Sequence, residues 1–190
     1  MVKDLVLKNR SYRRFYQEET ISKDVLRELV DLARLSPSAK NAQPLCYLIC
    51  NEPEKNAKIY KTLAWAGYLK EWGGPKEGER PSAYIVILGD KRISQTFGVD
   101  PGIVAQSILL GAVEKELGGC MIGTIKRVDL AAELTLPEYF EICMVIALGK
   151  PKEEVVIEPL PANGDIKYWR DEKQIHHVPK RSMEDVLIVW

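Results

Sequence analysis

Histidine is nearly missing from this chain: the 190 residues hold two, His176 and His177, side by side. That leaves little material for a Ser/His/Asp relay. Adjacent side chains point apart in a strand, so no histidine-based metal site is expected either. The four cysteines, Cys46, Cys50, Cys120 and Cys143, make no Cys-x-x-Cys pair. In apolar surroundings they read as small buried hydrophobes of a reducing compartment, not as a disulfide frame or a zinc site. No apolar run approaches the ~20 residues that span a bilayer, and Met1-Val2-Lys3-Asp4 opens no signal-peptide core. A cytoplasmic protein that does not enter the membrane is expected. Net charge is absent too: Lys plus Arg and Asp plus Glu stand at 27 each, so there is no basic field to draw nucleic acid. A Gly-x-Gly-x-x-Gly after a strand and a Gly-Lys-Ser/Thr phosphate loop are both lacking, which argues against a dedicated dinucleotide fold.

What the chain does have is an arginine cluster near its start, Arg10-Ser11-Tyr12-Arg13-Arg14-Phe15. A guanidinium donates in pairs and keeps its charge, so it suits a phosphate or a planar anionic ring. One helix later comes Ser36-Pro37-Ser38-Ala39-Lys40-Asn41-Ala42-Gln43-Pro44, rich in hydroxyl and amide groups. Alone, the first stretch reads as a solvated basic patch and the second as a helix stop with turn-forming residues. Together they read as two walls of a site for a phosphorylated, partly aromatic ligand.

The size and the apolar share of 46% fit one domain with a sizeable core. Apolar spacing predicts a short helix over 2–8. A second helix starts from Ser22 as N-cap, with Ile21 stapled to Leu26, and stops by Ser36 because Pro37 follows. A strand is expected over 45–50 and a helix over 54–64. The uninterrupted apolar run 83–88 predicts a central strand buried on both faces. A largely apolar helix over 103–117 opens at Asp100-Pro101-Gly102, with Gly118 as its left-handed cap. A short strand over 120–122, a helix over 128–134 and a strand over 140–148 complete the core. Residues 65–81, with three aromatics and Gly73-Gly74-Pro75, are expected to form either a lid over a site or a plain surface connection. Past Pro151 the prolines and the Asn-Gly-Asp turn indicate an extended arm, 152–190, whose large apolar residues need a surface to bury them.

The ordered set Arg10-Ser11-x-Arg13-x-Phe15, Ser36-Pro37-Ser38-Ala39-x-Asn41-x-Gln43-Pro44, Gly118-Gly119-Cys120-Met121-Ile122-Gly123, Ala147-Leu148-Gly149-Lys150-Pro151 and His177-Val178-Pro179-Lys180-Arg181 resembles the FMN-dependent nitroreductase family. The resemblance covers nearly the whole chain. It implies an α+β fold with a mainly antiparallel sheet flanked by helices, in an intertwined homodimer whose arms wrap the opposite subunit. It also implies FMN held by Arg10, Ser11, Arg13, Pro37, Ser38, Ala39, Asn41, Met121, Ile122, Gly123, Lys180 and Arg181, with Arg10 and Arg181 on the phosphate and Arg13 at the pyrimidine side of the ring. Pro37, Ser38, Ala39 and Asn41 would come from the second subunit. Two departures stand out: Asn9 and Ala39 replace an arginine and a serine common in the family. The glycines at 118–123 let backbone approach a planar ligand, or equally mark a helix cap and a buried strand. The implied activity is ping-pong transfer from NAD(P)H to a small electron-poor acceptor, nitroaromatic or quinone-like, with no side chain in a covalent role and no metal. A non-catalytic flavin carrier, or a dehalogenase or flavin-degrading relative on the same scaffold, remains the alternative.

Overall fold

The computed structural model describes residues 1–190. In chain order its elements are α1 (Val2–Lys8), β1 (Phe15–Tyr16), α2 (Lys23–Leu35), β2 (Leu45–Cys50), α3 (Pro53–Tyr60), β3 (Ala83–Asp90), α4 (Asp100–Glu114), β4 (Gly118–Ile122), α5 (Arg127–Glu133), β5 (Phe140–Pro151), β6 (Val155–Pro159), β7 (Trp169–Arg170), β8 (His176–Lys180) and α6 (Met183–Val186). A 3-10 turn occupies Ala39–Asn41.

The main sheet is wholly antiparallel and is organised on β5, which pairs with β1, β3 and β4, while β2 pairs with β3. Every residue of β3 is buried, as its unbroken apolar run requires. Its two faces serve two cores. Ala83, Ile85 and Ile87 join Ile146 and Leu148 beneath α2 and α4; Tyr84, Val86 and Leu88 join Val145, Ala147 and Ile142 beneath Ile59 of α3 and Leu130 of α5. The strict alternation breaks once on β5. The register slips between Ile87 and Leu88, which face Met144 and Ile142, and this bulge keeps Ile142 and Val145 on the same side. Helices therefore cover both faces of the sheet, the α+β arrangement expected.

Local signals set the helix limits. Ser22 Oγ accepts from the Val25 N–H at 3.2 Å, and Ser36 is extended, at φ −71° and ψ 150°, because Pro37 disfavours a helical residue before it. Leu26, Leu29 and Ala33 are the buried face of α2. The expectation of helix through residue 64 fails. Thr62 Oγ1 donates to the Ile59 carbonyl at 2.7 Å, and Leu63 leaves to bridge Ile125, so tertiary pairing ends α3 at Tyr60. The expected cap at Gly118 is also corrected. Glu116 takes the left-handed position at φ 58°, while Gly118 already belongs to β4. Its lack of a side chain serves packing: a Cβ there would lie 2.5 Å from the Tyr12 ring and 2.7 Å from Pro151.

Beyond β5 the chain forms a small second sheet in the order β6-β8-β7, parallel between β6 and β8 and antiparallel between β7 and β8. His176 is the fully buried residue of this sheet, at 1% exposure. The segment between α3 and β3 has no regular element and is pinned to the rest of the chain at several places, three of them through large or charged side chains. Tyr68 packs on Tyr168, Trp72 lies under the Arg170 guanidinium, and Glu79 takes a two-pronged ion pair from Arg14, at 3.0 and 2.7 Å.

Candidate functional site

Residues 9–14 run beside the start of β4. Ser11 bridges Gly119 in parallel fashion, and the Tyr12 N–H donates to the Gly119 carbonyl at 3.0 Å. This pairing lays the arginine cluster across the end of β4 that leads to Met121–Gly123. Arg13 is then fixed from three sides: its Nη1 donates to the Ser11 carbonyl at 3.2 Å, the same nitrogen lies 3.3 Å from His176 Nε2, and its guanidinium sits 4.7 Å over the Tyr168 ring. Burial, with the charges of Arg13 and Arg170 beside it, pulls His176 down to about 4. The neutral ring can therefore accept from Arg13 without competing for positive charge.

Arg13 forms one wall of a pocket of about 200 Å³. Cys120, Met121, Ile122 and Gly123 form another, and Trp65, Ala66 and Gly67 a third. The Gly123 position is open, with no atom within 4 Å of where a Cβ would stand. Trp65 Nε1 is buried without a partner. Burial pushes the Cys120 thiol up, so it stays protonated and supplies no thiolate.

The other expected residues lie elsewhere in the chain. Arg10 donates through Nη2 to the Val6 carbonyl at 2.7 Å, at the end of α1, while its Nε is buried and unpartnered. Pro37 and Ser38 line a second pocket of about 150 Å³ beside Asp100 and Tyr47. There the Ser38 hydroxyl donates to Asp100 at 2.6 Å and the Ala39 N–H donates to the same carboxylate at 3.1 Å. Asn41 is exposed, and Lys40, Asn41 and Gln43 all have positive φ. Lys180 and Arg181 line a third hollow of about 440 Å³ built wholly from residues 157–185. Arg181 donates there to the Asp185 carbonyl. Within one chain, then, Arg13 and Met121–Gly123 share a pocket, and the 37–41 and 180–181 groups stand at two further places.

Sequence reasoning missed the groups that hold this arrangement. Glu153, with a fully buried side chain, accepts from the backbone N–H groups of Arg13 and Arg14 and from Arg170 Nη2, the last at 2.8 Å. Glu79, within the 65–81 segment expected to be a lid or a surface connection, is 5% exposed, and its pairing with Arg14 holds its carboxyl below the usual range. The residues fit a flavin in kind. Guanidinium charge at Arg13, an orphaned buried donor on Arg10, and a strand end with an open glycine suit an anionic, planar ligand.

Similarity to known proteins agrees. A provisionally named NADH dehydrogenase/NAD(P)H nitroreductase of Archaeoglobus fulgidus is 26% identical over 149 residues, 74% of this chain and 80% of its own. A CR(VI) reductase of Pseudomonas sp. (strain G-1) is 24% identical over 180 residues, covering 84% and 70%. Among solved structures, the FMN-dependent nitroreductase of Clostridium difficile R20291 matches with a TM-score of 0.65 at 24% identity, over 81% of this chain and 89% of that one. The NADPH:FMN oxidoreductase of Vibrio harveyi, complexed with NAD+, matches at 0.66 and 22% identity over 85% and 74%. Residues 6–150, which carry the arginine cluster, the central sheet and the strand end facing Arg13, match the model of the nitroreductase family, and the chain belongs to that family.

Proposed function

We propose that the protein is an FMN-dependent oxidoreductase that takes electrons from NADH or NADPH and passes them to a small electron-poor acceptor, a nitroaromatic or a quinone. The observation that carries this reading is the shared pocket of Arg13 and Met121–Gly123. When bound, FMN supplies hydride acceptance and subsequent electron donation. The chain's part is to hold and tune. Arg13, Ser11 and the backbone at Met121–Gly123 would hold the ring, and Arg10, Lys180 and Arg181 the phosphate. A fixed guanidinium charge near the ring favours an anionic reduced state over a neutral one. With no dinucleotide motif elsewhere, donor and acceptor would use the pocket in turn, which gives ping-pong kinetics.

The same reading makes the working form a homodimer and residues 152–190 an arm of one 1–190 domain. The single-chain pocket, at about 200 Å³, is smaller than the ~300–1,000 Å³ usual for ligand sites. A second copy bringing Pro37, Ser38, Ala39 and Asn41 would complete it. The exposed apolar surface supports this: α1 buries none of its residues, and Ile188 and Val189 are 91% and 85% exposed. No helix is long and apolar enough to cross a membrane, in keeping with a cytoplasmic site of action.

The test is the visible spectrum of the purified protein, followed by anaerobic addition of NADH or NADPH and then of menadione or nitrofurazone. A flavin spectrum bleached by the nicotinamide and restored by the acceptor is expected. A colourless protein that takes up no added FMN would end the proposal, and a flavin-loaded protein that turns over neither nicotinamide would make it a carrier.

A further inference from the structure

A separate cavity, of about 150 Å³ and distinct from the three described above, lies where the start of α3 meets the chain entering β3. It contains none of the residues assigned to the flavin. Four of its lining side chains each leave a buried polar atom without a partner: Asn56 Oδ1, Arg80 Nε, Ser82 Oγ and Tyr84 Oη. Asn56, Ser82 and Tyr84 are 8%, 6% and 0% exposed. An unsatisfied buried group costs about 1–3 kcal/mol, and four around one hollow mark a place made to receive something polar.

The neighbouring groups are already engaged. Gln17 Oε1 accepts from the Gly78 and Arg80 N–H groups at 2.8 and 3.1 Å, and Gln17 Nε2 donates to Glu77 at 2.6 Å. Glu77 in turn pairs with Arg80 Nη1 at 2.6 Å, leaving Nε over. Asn56 Nδ2 donates to the Ser82 carbonyl at 2.8 Å, leaving only its oxygen. The Arg80 guanidinium lies 4.3 Å over the Tyr60 ring, which fixes it in place.

The chemistry of the unpartnered set restricts the occupant. Arg80 Nε–H can only donate, Asn56 Oδ1 can only accept, and the Ser82 and Tyr84 hydroxyls serve either way. Burial pushes the Tyr84 phenol up, so it is a neutral donor. Three potential donors against one obligatory acceptor match a carboxylate that also carries a hydroxyl or amino group. Apolar contact would come from Tyr60, Pro53 and Pro81, which share the lining. We propose that this cavity is a binding site for a small hydroxy- or amino-carboxylate, its carboxylate taken by the donors of Arg80, Ser82 and Tyr84 and its hydroxyl or amino group by Asn56 Oδ1.

Titration calorimetry of the protein as purified, with glycolate, L-lactate and L-serine as probes and lactamide as the uncharged control, tests this directly. Crystals soaked in the tightest probe give its position. Saturable binding of at least one carboxylate, tighter than lactamide and located in this cavity, is expected. Tyr84→Phe and Ser82→Ala, which keep shape and fold, should each weaken it about fivefold or more. No saturable heat with any probe, equal affinity for lactamide, unchanged affinity in the double variant, or soaked crystals with water alone in the cavity would each overturn the proposal. Flavin content is read separately by absorbance, so its outcome does not bear on this site.

Discussion

Arg13 Nη1 and His176 Nε2 lie 3.3 Å apart, joining residues separated by 163 positions. The contact ties the arginine cluster at one end of the chain to the buried centre of the small sheet at the other. It works only while the imidazole is neutral, since a protonated ring has no lone pair to offer.

A pH dependence results. His176 is depressed to about 4 from an ordinary 6.5. Between those values the unfolded chain binds a proton that the folded chain does not, so stability rises with pH across the window and falls as acid is added. The full effect is about 3 kcal/mol at ~1.4 kcal/mol per pH unit. Urea midpoints of the wild type should drop from pH 7 to pH 4.5 by more than those of His176→Gln, whose amide oxygen can still accept from Arg13. Parallel losses in the two proteins would show that His176 is not the titrating group.

Glu153 carries a second prediction. Its side chain is fully buried and Arg170 is 8% exposed. Glu153→Ala strands a buried guanidinium and frees the N–H groups of Arg13 and Arg14, a loss of about 3–5 kcal/mol. Glu153→Leu with Arg170→Leu removes both charges and should be markedly less destabilised than the sum of the two single changes. Denaturant titration of the wild type, Glu153→Ala, the two single leucine variants and the double variant measures this, and strict additivity in the leucine cycle would contradict the pairing.

These contacts also show what sequence pattern can and cannot reveal. α2, β3 and the core of β5 follow from apolar periodicity, Ser22 and Pro37, because each is decided within a few residues. That Arg13 and Met121–Gly123 line one pocket results from the pairing of residues 11 and 12 with Gly119, which no local signal announces. Glu153 and Glu79 were invisible because a buried carboxylate differs from a solvated one only by partners 139 and 65 positions away. Gly118 and Gly119 looked like cap residues, yet their role is contact: a Cβ on Gly119 would sit 2.5 Å from the Ala147 carbonyl oxygen. The small sheet escaped notice because its strands are short and carry Pro159 and Pro179.

Arg10 offers a direct test of the phosphate assignment. Its Nε is buried and unpartnered while Nη2 secures the Val6 carbonyl. Arg10→Ala should lower flavin retention on gel filtration several-fold, and more at high salt, where the remaining charge contacts are screened. Arg10→Lys should retain part of the charge effect without the paired donors. Unchanged flavin content in Arg10→Ala would remove this residue from the phosphate site.

The last eight residues test the assembly. Ser182 caps α6 by accepting from the Asp185 N–H at 3.2 Å, but the chain leaves the apolar side chains of its C-terminal end uncovered. Met183, Val186 and Leu187 are 66%, 56% and 58% exposed, and Ile188 and Val189 still more so. Burying such side chains contributes about 1.5–3 kcal/mol each relative to leaving them in water, so a second copy that accepts them gains several kcal/mol of association. A chain ending at Ser182 keeps β6, β7 and β8 and should fold as before, as judged by circular dichroism. The proposed dimer should, in this shortened chain, dissociate at protein concentrations at least tenfold higher than in the full chain, as read by sedimentation, with flavin lost in step as Pro37, Ser38, Ala39 and Asn41 of the second copy depart. A truncated protein that is as firmly dimeric and as yellow as the full chain would leave these apolar residues without a role in assembly and would move the interface to α1.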